Sequence, residues 1–149
     1  NGGLNAWKEA DGTVEQEARA YPTARVEPKF HKGRLADKEE VQAATERDDV
    51  TIQNSLMHDW HDDEHIPGST CLPLTDLTIG WDAFLPADQL AERLSGNDRQ
   101  KRIITYCGGG VAATLNAMAY VMNGFENVAI YDGSLYEWIG EGLPVASNK

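Results

Sequence analysis

The sequence predicts an α/β domain built on a central, mostly parallel sheet with helices on both faces. Three observations carry that prediction. From about residue 35 onward, short apolar runs rich in β-branched and aromatic residues alternate with stretches of helical spacing. Strands that alternate with helices pair in parallel, because each crossover helix returns the chain to the same end of the sheet. A length of 149 residues, 41% of them hydrophobic and 25% charged, supplies one good core and no second full domain.

Along the chain, residues 15–34 mix Glu, Ala, Arg, Pro and Lys without a period and include Pro22 and Pro28, a linker composition. The globular domain, 35–149, opens at Asp37, an N-cap with Glu40 as its capping-box partner ahead of Val41 and Ala44. Val50 to Gln53 is a short strand. Pro86 suits the first position of a helix running to about Leu94, which Gly96-Asn97-Asp98 ends. Arg102 to Tyr106 is a buried strand. Val111 to Met122 is a helix in which Leu115, Met118, Ala119 and Met122 recur at helical spacing. A strand at Asn127–Tyr131 and a helix at Leu135–Ile139 close the domain. Trp60, Trp81 and Trp138 read as packing residues, and Cys71 as core on a buried strand.

The chemistry concentrates at Cys107, between the strand Arg102–Tyr106 and the helix from Val111, with Gly108, Gly109 and Gly110 in the turn. Glycines adopt dihedrals closed to other residues and let successive N–H groups converge on one point, while the helix start adds its positive dipole end. Such a loop favours an anion. For a cysteine the anion is its own thiolate, so Cys107 is the expected nucleophile, and the backbone amides of Gly108, Gly109, Gly110, Val111, Ala112 and Ala113 are the expected cradle. Cysteine phosphatases share this topology but need an arginine after five intervening residues to hold the phosphate. That position is Ala113, which argues against phosphate-ester hydrolysis.

Bulk properties narrow the partners. A formal charge of −11 argues against nucleic acid and acidic membrane surfaces. No apolar run approaches the roughly 20 residues that span a bilayer, and no signal peptide is visible, so a cytoplasmic location is expected. Cys71 and Cys107 do not make a secreted disulfide framework, and a bond between them would silence Cys107. The run His58-Asp59-Trp60-His61-Asp62-Asp63-Glu64-His65 has metal-type donors, but so crowded an acidic stretch reads as a solvated surface, and no metal is assigned to it.

The Cys107 loop resembles the Cys-x-x-Gly-x-x-Ala/Ser signature of the rhodanese family. His65-Ile66-Pro67-Gly68-Ser69 resembles that family's HIPGA turn. Tyr131-Asp132-Gly133-Ser134, Trp138 and Gly142-Leu143-Pro144-Val145 resemble its closing pattern, in order, so the resemblance covers most of residues 35 to 146. It implies a three-layer α/β/α domain and a sulfurtransferase that carries a sulfane sulfur as a Cys107 persulfide. The donor would be thiosulfate or 3-mercaptopyruvate and the acceptor a thiol or cyanide, with no metal or organic cofactor. The alternative is a non-catalytic module of the same family that binds or regulates a protein partner. Two departures bear on the choice. The loop carries no cation, which is nearer to mercaptopyruvate-type loops, and the family's Asp-x-Arg pair falls on Asn54 and Leu56.

One internal comparison bears on domain organisation. Gly2, Leu4, Trp7 and Val14 recur as Gly133, Leu135, Trp138 and Val145 at one constant offset. By analogy with tandem members of the family, residues 1–14 are expected to be the end of a preceding repeat, with possible contact between that domain and this one. The chain also lacks an initiator methionine, consistent with a piece of a longer protein.

Overall fold

The computed structural model describes residues 1–29 and 31–149; Phe30, inside the expected linker, lies outside the described residues. Helix α1, Gly3–Glu9, is followed by chain without regular structure over residues 13–29, and a 3-10 turn spans Lys32–Arg34. Then come β1 (Leu35–Ala36), α2 (Lys38–Ala44), β2 (Val50–Asn54), α3 (His58–Asp63), β3 (Thr70–Cys71), β4 (Thr78–Ile79), β5 (Ala83–Phe84), α4 (Ala87–Leu94), β6 (Arg102–Tyr106), α5 (Val111–Met122), β7 (Val128–Tyr131) and α6 (Ser134–Gly140).

Five strands form one sheet in the order β1-β7-β6-β2-β3, with every neighbouring pair parallel. β4 and β5 make a separate antiparallel hairpin. β6 is the central strand, so both of its faces are buried, which its unbroken Ile-Ile-Thr-Tyr run suits. Successive side chains point to opposite faces and feed two cores. Ile52, Ile104, Tyr106, Ala129 and Tyr131 pack under Val41 and Ala44 of α2 and Leu135 and Trp138 of α6. Ile103 and Val128 pack on the other side against Leu90 and Leu94 of α4 and Ala117 and Tyr120 of α5. The result is the expected α/β/α layering.

Several local expectations need correction. Asp37 does cap α2, its Oδ1 accepting from the Glu40 N–H at 2.8 Å. The reciprocal half of the capping box is missing, because the Glu40 carboxylate is taken by Arg102 Nε at 2.6 Å. Pro86 stands at the N-cap with extended backbone, and the helix starts at Ala87. α5 turns Ala113, Asn116, Ala117 and Tyr120 inward and leaves Met118 and Met122 exposed, since a helix lying over a sheet favours small residues at the closest contact. Of the three tryptophans only Trp138 is core. Trp60 lies exposed on α3, and Trp81, 80% exposed, tops the turn of the β4–β5 hairpin.

The N-terminal segment repeats the closing motif in three dimensions. α1 and α6 are both seven residues long and begin 131 positions apart, at Gly3 and Ser134. In each, the tryptophan indole donates to a carbonyl six residues on: Trp7 to Thr13 at 3.0 Å, and Trp138 to Pro144 at 2.7 Å. The two tryptophan carbonyls accept from Gly12 and Leu143, again at corresponding positions. Burial differs sharply, however. Trp138 is 1% exposed and Trp7 55%. α1 rests on the β4–β5 hairpin, with the Gly2 N–H donating to the Asp82 carbonyl at 2.8 Å and Asn1 Oδ1 accepting from the Phe84 N–H at 2.9 Å.

Candidate active site

Cys107 sits at the carboxyl end of β6, the position where open parallel sheets hold ligands. Beneath it, Thr105 Oγ1 donates to the Ala113 carbonyl at 2.9 Å and ties the strand to the first turn of α5. Between them Gly110 turns the chain with φ 85°, in the left-handed region. A Cβ there would meet the Asp132 carbonyl oxygen at 2.7 Å and Asp132 Oδ1 at 2.8 Å, so only glycine fits.

The outer side of the loop is fixed from α6. The Leu135 N–H donates to the Cys107 carbonyl at 3.0 Å, and the Tyr136 N–H to the Gly108 carbonyl at 2.9 Å. The Tyr136 ring lies so close over Gly108 and Gly109 that a Cβ on either would approach it to 3.1 or 3.2 Å. Ser134 completes the anchor: its Oγ accepts from the Cys107 N–H at 3.1 Å and donates to the Tyr131 carbonyl at 2.8 Å. Ser134 is fully buried and holds φ 52°, an uncommon conformation for a residue with a side chain. With the carbonyls turned toward α6, the N–H groups of Gly108, Gly109, Gly110, Val111, Ala112 and Ala113 donate to no other protein group among the described residues.

Above the loop lies a cavity of about 510 Å³, walled by Leu56, Leu74, Trp81, Val111, Leu115 and Tyr136. Cys107 and the glycines form its base, and no residue lining it carries a charge. Sequence reasoning assigned the base and Val111 to the site and singled out Leu56, but it did not place Leu74, Trp81, Leu115 or Tyr136 on the walls, nor Thr105 and Ser134 beneath them, because these meet through tertiary contact and share no spacing. The one local signal was Ser134, a residue with a side chain in a Gly-rich turn.

The second half of the histidine-rich stretch is structural. Asn54 Oδ1 accepts from the Leu56 N–H at 3.0 Å, an Asx turn that sets Leu56 on the pocket wall, and its Nδ2 faces His61 Nδ1 at 3.2 Å. His61 and His65 are buried and their rings stack at 4.0 Å. His65 Nδ1 bonds the His61 carbonyl at 2.6 Å, and its backbone pairs with Ala146. Burial, then the neighbouring His65, hold the His61 pKa below its usual value. The stretch is thus exposed at His58, Asp59 and Trp60 but core at its histidine pair, which corrects the reading of it as wholly solvated. Tyr106, the last residue of β6, accepts from the Ile66 N–H and shares a hydrogen bond with Ser69, joining the turn His65–Ser69 to the site strand.

Both cysteines are free thiols. Cys71 is half-buried on β3, and burial together with the Asp62 and Asp76 carboxylates pushes its pKa up to about 11. It lies outside the pocket. No helix among the described residues is long and apolar enough to cross a membrane.

The chain is 40% identical over 86 residues to the mitochondrial thiosulfate/3-mercaptopyruvate sulfurtransferase 1 of Arabidopsis thaliana, covering 56% of this chain and 23% of that protein. It is 27% identical to the 3-mercaptopyruvate sulfurtransferase of Escherichia coli K12, over 99% of this chain and 57% of the relative. The chain thus spans less than two thirds of either. Among solved structures, the Tum1 protein of Saccharomyces cerevisiae superposes with a TM-score of 0.83 at 23% identity, over 98% of this chain and 59% of that one. EanB in complex with ergothioneine superposes at 0.88 with 15% identity, over 100% and 41%. These two show the fold alone. Residues 37–141 match the profile of the rhodanese-like domain, so the chain belongs to the rhodanese-like family.

Proposed function

We propose that this chain is a sulfurtransferase domain that moves a sulfane sulfur from a small-molecule donor to a thiol or cyanide through a persulfide on Cys107. The observation that carries the reading is the pairing of one thiol, at the floor of an open cavity, with six consecutive N–H groups that have no protein partner among the described residues. Relatives named as thiosulfate/3-mercaptopyruvate sulfurtransferases support the same chemistry.

The Cys107 thiolate attacks the outer sulfur of thiosulfate; the S–S bond breaks and sulfite leaves with the electron pair. With 3-mercaptopyruvate the attack falls on the thiol sulfur, the C–S bond breaks, and the carbon takes the thiol proton to give pyruvate. Either way Cys107 becomes a persulfide, and the acceptor then removes its outer sulfur and regenerates the thiolate. Dividing the transfer in two predicts ping-pong kinetics. The loop amides stabilise the persulfide charge by fixed dipoles, without proton transfer and without rearrangement at the moment of reaction.

Intact-mass spectrometry after exposure to either donor tests this. One added sulfur is expected on the parent and none on Cys107→Ser. No adduct with either donor would refute the reading and leave the non-catalytic module, a domain that binds a protein partner through the same surface.

We also assign residues 1–14 to the closing motif of a preceding copy of this fold, 15–34 to the linker and 35–149 to the catalytic domain. The support is the recurrence of the α6 hydrogen bonds around α1, with Leu4 and Trp7 exposed where Leu135 and Trp138 are buried.

A further inference from the structure

The cavity over Cys107 has two unlike halves. Its base presents backbone N–H groups, while its walls are hydrocarbon and aromatic: Leu56, Leu74 and Leu115 half-buried, Trp81 and Val111 exposed around the mouth. A dianion approaching this site meets the field of a chain of charge −11 and gives up hydration against mostly apolar walls that carry no charge, the Thr78 hydroxyl being already bonded to the Leu74 and Gly80 carbonyls. A donor with an apolar group keeps its charged end on the amides and covers the walls with the rest. Leu56 is held in place by the Asn54 side chain, so the apolar wall is a built feature.

We infer that the site selects sulfane-sulfur donors bearing an apolar substituent, up to the size of a phenyl ring, beside the bond that breaks, with Leu56 and Trp81 as its specificity-determining contacts. This rests on the Cys107 persulfide reading. For an organic thiosulfonate, R–SO2–S⁻, the thiolate attacks the terminal sulfur, the S–S bond breaks, and the sulfinate R–SO2⁻ leaves with the electron pair. The products are the Cys107 persulfide anion and the sulfinate, so atoms and charge balance without an added oxidant or reductant. The group R makes and breaks no bond, and because each leaving sulfinate is the same in parent and variant, the change of the phenyl-to-methyl ratio in Trp81→Ala isolates its contact with the wall.

The test compares benzenethiosulfonate, methanethiosulfonate and thiosulfate as donors to cyanide, following thiocyanate. The first two share charge and reacting atoms and differ only in R. The phenyl donor should exceed the methyl donor in kcat/KM by about tenfold or more, chiefly through KM, with thiosulfate below both. Trp81→Ala should shrink the phenyl-to-methyl ratio by about threefold or more; with the indole largely in solvent, the fold should tolerate it. Leu56→Arg should raise thiosulfate turnover relative to the phenyl donor, since a guanidinium on the wall recognises the dianion. Equal rates for phenyl and methyl donors, or thiosulfate the fastest, would overturn the inference while leaving the persulfide intact. Absence of an added sulfur with every donor, by intact mass, would overturn the Cys107 reading and this inference with it.

Discussion

Removing the Ser134 hydroxyl should weaken the fold and the site together, by an amount the structure bounds. Ser134→Ala deletes one acceptor and one donor in a fully buried place, leaving the Cys107 N–H and the Tyr131 carbonyl without the partners they have at 3.1 and 2.8 Å. Each stranded group costs about 1–3 kcal/mol, which sums to about 2–6 kcal/mol. Alanine must also keep the left-handed backbone at φ 52°. Ser134→Gly loses the same two bonds but relieves that strain, worth about 1 kcal/mol, so the glycine variant should be the more stable of the two. Urea unfolding of the three proteins measures both differences. Donor loading of Cys107 by intact mass, at a temperature where all remain folded, reads the effect on the loop, and both variants should load more slowly than the parent. An alanine variant within about 0.5 kcal/mol of the parent, the scatter of a neutral surface change, would refute the reasoning. So would a glycine variant less stable than the alanine one.

Three further outcomes follow from the geometry. Gly110→Ala should destabilise the domain by about 2 kcal/mol or more, because its Cβ would press on the Asp132 carbonyl from a left-handed backbone; thermal melting checks this. Iodoacetamide at pH 7.5 should label Cys107 well before Cys71, whose pKa of about 11 keeps it a neutral thiol, and Cys71 should become reactive only as the pH approaches that value; peptide mass mapping separates the two. The His61 pKa is depressed in the fold and near 6.5 in the unfolded chain, so its contribution to stability is full above about pH 6.5 and is lost as the pH falls below it. Melts at pH 7.5 and 5.5 should therefore differ less in His61→Gln than in the parent.

What the sequence revealed depended on how local each cause is. The step from β6 through Cys107 to α5 was legible because a β-branched run, three glycines and a helical stretch lie side by side, and the helix begins and ends at the expected Val111 and Met122. The Asp37 cap was legible for the same reason. A strand at Cys71 was expected and is β3, though there the cysteine is half-buried; β1, β4 and β5 were not legible, since two residues are too few to display a period and these strands exist only through their pairings. Trp81 was misplaced because an apolar side chain is read by default as interior, whereas here the hairpin holds it over the pocket. The burial of His61 and His65 was obscured by the carboxylates between them, and because α3 ends at Asp63 the two rings meet through the turn beyond the helix, not through a helical period.

The twin of the closing motif serves as an internal control on what shapes it. Around Trp7 the turn forms with the indole facing water, and around Trp138 it forms in the core, yet the same carbonyls and amides pair in both. Interior packing therefore does not dictate this bend; bonds spanning six residues or fewer suffice. Such a piece has very low contact order, unlike the parallel strands, which must find partners across the chain. The hydrogen bonds of the closing turn and the burial of its tryptophan are thus separable features: the first are met in both copies, the second only where the sheet lies beneath.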